Sequence, residues 1–164
     1  EGALTDAAPR AQAIAAVIAA RMDYVGTLGV EFFLCGGELL VNEIAPRPHN
    51  SGHYTIDACV TSQFEQQVRV LAGLPLGDVA LHGPAVMLNI LGDAWHADDS
   101  DAQREPDWSI VLRHPRAKLH LYGKSQPRRA RKMGHVTVLG NSLGAALADA
   151  LAIERELGLV PPGG

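Results

Sequence analysis

The sequence predicts an α+β fold with antiparallel hairpins. Apolar residues recur at helical spacing near both ends, strand-like stretches lie between them, and Gly/Pro clusters separate the segments. Residues 9–22 read as a helix, with Ile14, Val17, Ile18 and Met22 three or four positions apart and Ala supplying propensity, until Tyr24-Val25-Gly26 breaks the pattern. Strand-like stretches at 28–34 and 38–44 are joined through Cys35-Gly36-Gly37, where glycine can take the positive φ of a tight turn. Residues 45–53 form an irregular loop with two prolines, an Arg, two His and an Asn. So many polar groups in one loop are either solvated or a site.

A second helix is expected over 61–72, stopped by Gly73, Pro75 and Gly77. The Gly/Pro-rich stretch that runs to Pro84 marks a boundary, giving expected domains 1–84 and 85–164. Beyond it, 86–91 is apolar and strand-like, 93–107 is an acidic surface excursion, and 111–113, 118–122 and 135–139 read as short strands. Asn141 or Ser142 is placed to cap a last helix through about 157, with Leu143, Leu147, Leu151 and Glu154 on successive turns, and 161–164 is a frayed end.

Composition bounds the function. The 164 residues are 47% hydrophobic and 20% charged, which describes a globular chain. Fourteen basic against eighteen acidic residues leave a net charge of −4, which argues against a nucleic-acid partner. No apolar run reaches the roughly 18 residues of a membrane helix. Two cysteines, Cys35 and Cys59, make neither a disulfide framework nor a four-cysteine zinc site, so a reducing, cytoplasmic setting is expected.

Glu31 and Glu43 lie on the two hairpin strands, where tight pairing can bring both carboxylates to one face. Close carboxylates repel unless a cation lies between them, and Mg²⁺ favours such oxygen ligands together with substrate phosphates. Asn42 can add a neutral oxygen or a hydrogen bond to nucleotide. Alternatively, one Glu is solvated and the other pairs with Arg47. In the following loop Arg47 offers a fork of donors to an anion, His49 can exchange a proton, and Asn50 can donate and accept at once. Zinc on His49 and His53 lacks a third ligand nearby, and a proline-stiffened loop satisfying its own backbone is the plainer alternative. Further on, Lys124, Arg128, Arg129, Arg131 and Lys132 concentrate positive charge suited to one phosphate group, or form a solvated basic loop.

The run Asn42-Glu43-Ile44-Ala45-Pro46-Arg47-Pro48-His49-Asn50-Ser51-Gly52-His53-Tyr54-Thr55-Ile56 closely resembles a signature of the 5-(carboxyamino)imidazole ribonucleotide synthase family of ATP-grasp enzymes. Thr61-Ser62-Gln63-Phe64-Glu65-Gln66 resembles the helix that follows it in that family. Tyr122-Gly123-Lys124 through Arg131-Lys132-Met133-Gly134-His135-Val136 resembles its second signature, except that Arg128-Arg129-Ala130-Arg131 stands where Arg-Pro-Gly-Arg is usual, so a less sharply turned loop is expected.

The resemblance implies the carboxy-terminal part of an ATP-grasp domain followed by a small mixed α/β domain. It implies ATP-dependent carboxylation of 5-aminoimidazole ribonucleotide with bicarbonate, through carboxyphosphate, in purine biosynthesis. In residue terms it implies Glu31 and Glu43 on Mg²⁺, with Asn42 and Glu43 toward the nucleotide. Arg47, His49 and Asn50 then lie by bicarbonate and carboxyphosphate, and Lys124, Arg131 and Lys132 by the ribonucleotide phosphate. Family members are longer and commonly dimeric, so a fragment inactive without its amino-terminal part is expected. A formate-using ATP-grasp transformylase and a non-catalytic ribonucleotide-binding module are the alternatives.

Overall fold

The computed structural model describes residues 2–96 and 103–159, without the side chains of residues 2–5. The α+β class expected from the sequence is the one found. Contacts divide the chain into two compact units, residues 1–56 with 60–80 and residues 57–59 with 81–164.

In the first unit, helix α1 (Gly2–Arg21) contains Pro9 in its interior, so it extends further toward the amino terminus than residues 9–22. Ala7 and Ala8 favour helix without marking an apolar face, which is why periodicity alone under-reads this end. Strands β1 (Gly29–Cys35) and β2 (Glu38–Ala45) form an antiparallel hairpin. Gly36 and Gly37 have φ of 58° and 85°, the left-handed pair required by a two-residue primed turn. α1 packs against both strands, and its Arg10 donates to the Gly37 carbonyl at 2.9 Å.

From the turn, Cys35 pairs with Glu38, Leu34 with Leu39, Phe33 with Leu40 and Phe32 with Val41. Continued unbroken, that register would set Glu31 opposite Asn42. A bulge next to Phe32 adds Asn42 as the extra residue of β2, and Glu31 faces Glu43 instead. The chain then runs through a 3-10 turn (Asn50–Gly52) and a short helix α2 (Thr55–Ala58), which has no sequence signal of its own. Helix α3 (Gln63–Leu71) is capped by Ser62, whose hydroxyl accepts from the Glu65 amide, and Glu65 pairs with Arg69 at 2.8 Å.

The second unit is a three-stranded antiparallel sheet in the order β3 (Ala85–Leu91), β5 (Lys132–Leu139), β4 (Ala117–Leu121), with β5 in the centre. The period-2 alternation separates its faces. Val136 pairs with Leu88 and Leu119, and Val138 with Val86 and Ala117, making an apolar face under helix α5 (Leu143–Glu156). Ile90, Val111, Ala150, Ile153 and Leu157 complete this core. On the opposite face His135 stands between Asn89 and His120. Ser142 caps α5 by accepting from the Ala145 amide. Ala146, Ala150 and Ile153 are the residues α5 buries, while Leu143, Leu147 and Leu151 stay exposed.

Residues 111–113 are not a strand. Asp107 accepts from the Ser109 amide at 3.0 Å and starts helix α4 (Ser109–Leu112), a local side-chain bond that outweighs the β preference of Val111. The same Ser109 contacts hold the Asp107 carboxyl below its ordinary pKa. Residues 93–107 do not all lie on the surface: Gly92–His96 is a 3-10 turn with Ala94 buried, and Trp95 and Trp108 meet at 5.4 Å between ring centroids. Positions 97–102 and 160–164 lie outside the described residues, the expected frayed end among them. No helix among the described residues is long and apolar enough to cross a membrane.

Ile90→Ala is expected to destabilise the second unit by about 2–5 kcal/mol. Leu147→Ala, on the exposed side of α5, should cost within about 0.5 kcal/mol. Urea unfolding of the two variants checks the contrast.

Candidate active site

The bulge in β2 makes Glu31 and Glu43 a cross-strand pair. Neither makes an ion pair with Arg or Lys among the described residues; Arg47 instead donates to the Pro48 carbonyl at 3.0 Å. What reaches both is His49, with Nδ1 3.5 Å from Glu31 and Nε2 3.9 Å from Glu43. Its side chain is 11% exposed, against 40% for Glu31 and 53% for Glu43, so the carboxylates open to solvent around a covered imidazole. His49 Nδ1 also lies 3.0 Å from the Ser51 hydroxyl. Two carboxylates facing each other without an Arg or Lys partner among the described residues are hard oxygen donors and fit Mg²⁺ better than a thiophilic metal. His53 does not join His49 as a zinc pair: its Nδ1 is 2.8 Å from the Gln63 amide nitrogen, and its ring packs at 5.4 Å from Phe64.

The loop carrying Arg47, His49 and Asn50 is held by α3. Gln63 accepts from the His49 amide at 2.9 Å and donates to the His49 carbonyl at 2.8 Å. On the same helix Gln66 brackets both backbone groups of Gly77, and Gln67 accepts from the Thr27 amide at 2.8 Å. Three glutamines on one helix thus tie three segments of chain to it. Asn50 lies in the 3-10 turn with its Oδ1 buried and no protein partner among the described residues.

In the second unit the basic segment follows β4. Lys124 donates to the Lys132 carbonyl at 2.6 Å and lies 5.3 Å over the Tyr122 ring, so Lys124 and Lys132 are brought together. Arg131 donates to the Gln126 carbonyl at 3.0 Å, and Arg128 to the Gln126 side chain at 2.8 Å. Arg129 turns toward Asp93 at 3.8 Å. The loop closes in a tight turn: the Arg131 amide donates to the Arg128 carbonyl at 3.1 Å, and Ala130 has φ of 58°. Asp93 accepts from the Ala130 amide at 2.6 Å and helps hold this left-handed alanine where glycine is usual.

Sequence reasoning missed a polar group on the far face of the same sheet. His120 Nε2 is 2.8 Å from Asp57, His120 and His135 stack at 4.5 Å with planes 13° apart, and His135 Nδ1 is 2.9 Å from the Tyr122 hydroxyl. Burial pushes the Tyr122 phenol above its ordinary pKa. Asp57, His120 and His135 each offer a ligand atom within 4.8 Å of the others. A metal lies close to the plane of every imidazole that binds it, and two stacked, nearly parallel rings share no such point. As folded, this group is two hydrogen-bonded pairs, His120 with Asp57 and His135 with Tyr122, joined by the stacked rings. No sequence signal marks it, because His120 and His135 meet only through strand pairing and Asp57 only through the fold.

Residues 2–64 match the ATP-grasp domain family, and residues 85–149 match the phosphoribosylaminoimidazole carboxylase C-terminal domain. The N5-carboxyaminoimidazole ribonucleotide synthase of Bacillus subtilis (strain 168) is 48% identical over 131 residues, covering 79% of this chain and 32% of the relative. That of Brucella melitensis biotype 1 is 52% identical over 117 residues, covering 71% of this chain and 30% of the relative. The crystal structure of N5-carboxyaminoimidazole ribonucleotide synthetase from Thermus thermophilus aligns with a TM-score of 0.80 at 40% identity, over 94% of this chain and 40% of that one. The Aspergillus clavatus synthase, in complex with ADP and 5-aminoimidazole ribonucleotide, aligns with a TM-score of 0.69 at 34% identity, over 82% of this chain and 35% of that one. The chain spans about a third of the length of the curated relatives it matches.

Fold and sequence together put the chain in the ATP-grasp class. Within that class it belongs to the N5-carboxyaminoimidazole ribonucleotide synthase family, carrying part of the ATP-grasp domain and the carboxy-terminal domain.

Ala130→Gly is expected to stabilise the second unit by about 0.5–1 kcal/mol. The relief of a left-handed alanine, about 1–2 kcal/mol, exceeds the added freedom of glycine in the unfolded chain, about 0.4–1 kcal/mol. A rise in Tm measures it.

Proposed function

We propose that this chain is the carboxy-terminal part of an ATP-dependent carbon–nitrogen ligase that carboxylates 5-aminoimidazole ribonucleotide with bicarbonate, through carboxyphosphate. In this reading, residues 1–84 contribute one wall of the ATP site and residues 85–164 the phosphate anchor of the ribonucleotide; the amino-terminal part of the enzyme supplies the rest. The observation that carries it is the cross-strand pair Glu31 and Glu43, spanned by His49 and lacking an Arg or Lys partner among the described residues. The names and bound ligands of the matched relatives support it. Action in the cytoplasm accords with the free thiols Cys35 and Cys59, and assembly as a homodimer follows the family resemblance.

The work of the site is charge placement. Glu31 and Glu43 would hold Mg²⁺, which when bound would offset the charge of the ATP phosphates. Asn42 and Glu43 orient the nucleotide. Arg47 presents its fork of donors to bicarbonate and then to the carboxyphosphate oxygens, while His49 and Asn50 hold the same anion and keep its reactive carbon aimed at the incoming amine. Lys124, Arg131 and Lys132 anchor the phosphate of 5-aminoimidazole ribonucleotide, fixing the other reactant by an end remote from the chemistry. Enclosure of the labile carboxyphosphate from water completes the requirement.

In the complete enzyme, Glu43→Gln is expected to lower turnover by on the order of a hundredfold or more, since loss of even an outer partner of a metal site costs about 10–100-fold. Steady-state ADP release at varied Mg²⁺ measures this, and unchanged turnover removes Glu43 from the metal. Arg131→Ala should raise the ribonucleotide KM by about 10–100-fold, the size of one lost charge-assisted hydrogen bond, with kcat much less affected. An unaltered KM would exclude Arg131 as the anchor.

A further inference from the structure

We infer that Gln63 is a positioning residue of the active site, fixing the loop of residues 47–53 so that the His49 imidazole stays between Glu31 and Glu43. The consequence for turnover rests on the function proposed above; the bracket itself rests on geometry. Gln63 is 8% exposed, and its amide brackets one residue of the loop: Oε1 accepts from the His49 amide at 2.9 Å, and Nε2 donates to the His49 carbonyl at 2.8 Å. Nε2 is also 2.8 Å from His53 Nδ1, which accepts the second amide proton in the tautomer that carries its own proton on Nε2. The Gln63 backbone is tied to the same loop, since its N–H donates to the Thr55 hydroxyl at 2.9 Å, which donates onward to the Gly52 carbonyl at 2.5 Å.

The residue types on both sides are narrowly constrained. A Cβ on Gly52 would stand 2.5 Å from Gln63 Oε1 and 2.7 Å from Cδ, so the loop can approach this amide only as glycine. At position 63, Asn is one methylene short. Glu is isosteric but has no proton for the His49 carbonyl and sets two acceptors against each other. Gln66 makes the same kind of bracket around Gly77 on the same helix but does not reach His49, so it offers an internal comparison.

In the complete enzyme, Gln63→Glu is expected to lower kcat by on the order of 10–100-fold, the effect of displacing a reacting-site group by about 1 Å, and to leave the ribonucleotide KM within about twofold. Gln66→Glu should leave kcat within about twofold. Equal loss of kcat in the two variants would make Gln63 merely structural and overturn the inference. So would normal kcat in Gln63→Glu alongside a large loss in His49→Ala. If Gln63→Glu does not fold, Gly52→Ala, which pushes the same amide away, takes its place with the same expected loss, and normal kcat there overturns the inference. If His49→Ala itself turns over normally, the functional reading of the loop fails. Hydrogen exchange then decides the bracket: in Gln63→Glu the His49 amide should exchange at least about tenfold faster, and unchanged exchange refutes it.

Discussion

Like charges set directly opposite each other on an antiparallel hairpin repel, and the site in the first unit follows from that repulsion between Glu31 and Glu43. Both side chains are close to half exposed, so the cost is near the water limit, about 1 kcal/mol at 4 Å. Repulsion of that size leaves the hairpin able to fold, held by its backbone ladder and the Gly36-Gly37 turn. It also leaves an electrostatic demand for positive charge at the outer edge of the pair. The described side chain that reaches both is an imidazole, not a guanidinium or ammonium, so among the described residues that demand is not met by a permanent cation.

The second unit handles charge differently. Its sheet is apolar under α5, and the basic turn after β4 is assembled by main-chain contacts: Lys124 to the Lys132 carbonyl, Arg131 to the Gln126 carbonyl. Donors spent on carbonyls keep their charge, whereas Arg129, beside Asp93, has its charge offset. On the opposite face buried His135 and half-buried His120 join β5 to β4 and, through Asp57, to the end of α2. Hydrogen-bonded pairs joined by stacking across β4 and β5 favour one strand register over a slip that would strand their polar atoms.

Locally coded features were legible in the sequence. Gly36-Gly37 announced the hairpin, Ser142 the start of α5, and the two long signatures the family, because turns, caps and motifs are written in neighbouring residues. Local reading failed where another local bond competed or the chain carried no marker. The bond from the Ser109 amide to Asp107 starts a helical turn that runs through Leu112, α2 has too few residues for a period, and the alanines of α1 mark no face. In α5 the conspicuous leucines stay outside and the alanines go in, because small side chains let the helix lie close to the sheet.

By itself the sequence determined which residue types are available to the site, and in what order: two glutamates across a turn, the Arg47–His49–Asn50 loop, then a basic turn. It could not determine that the glutamates face each other. The register set by the turn places Glu31 opposite Asn42, and only the bulge brings Glu43 across. Nor could it show that Gln63, fourteen residues after His49, holds that histidine in place. Both depend on which backbone groups find partners once distant segments pack, and that is decided by the tertiary structure.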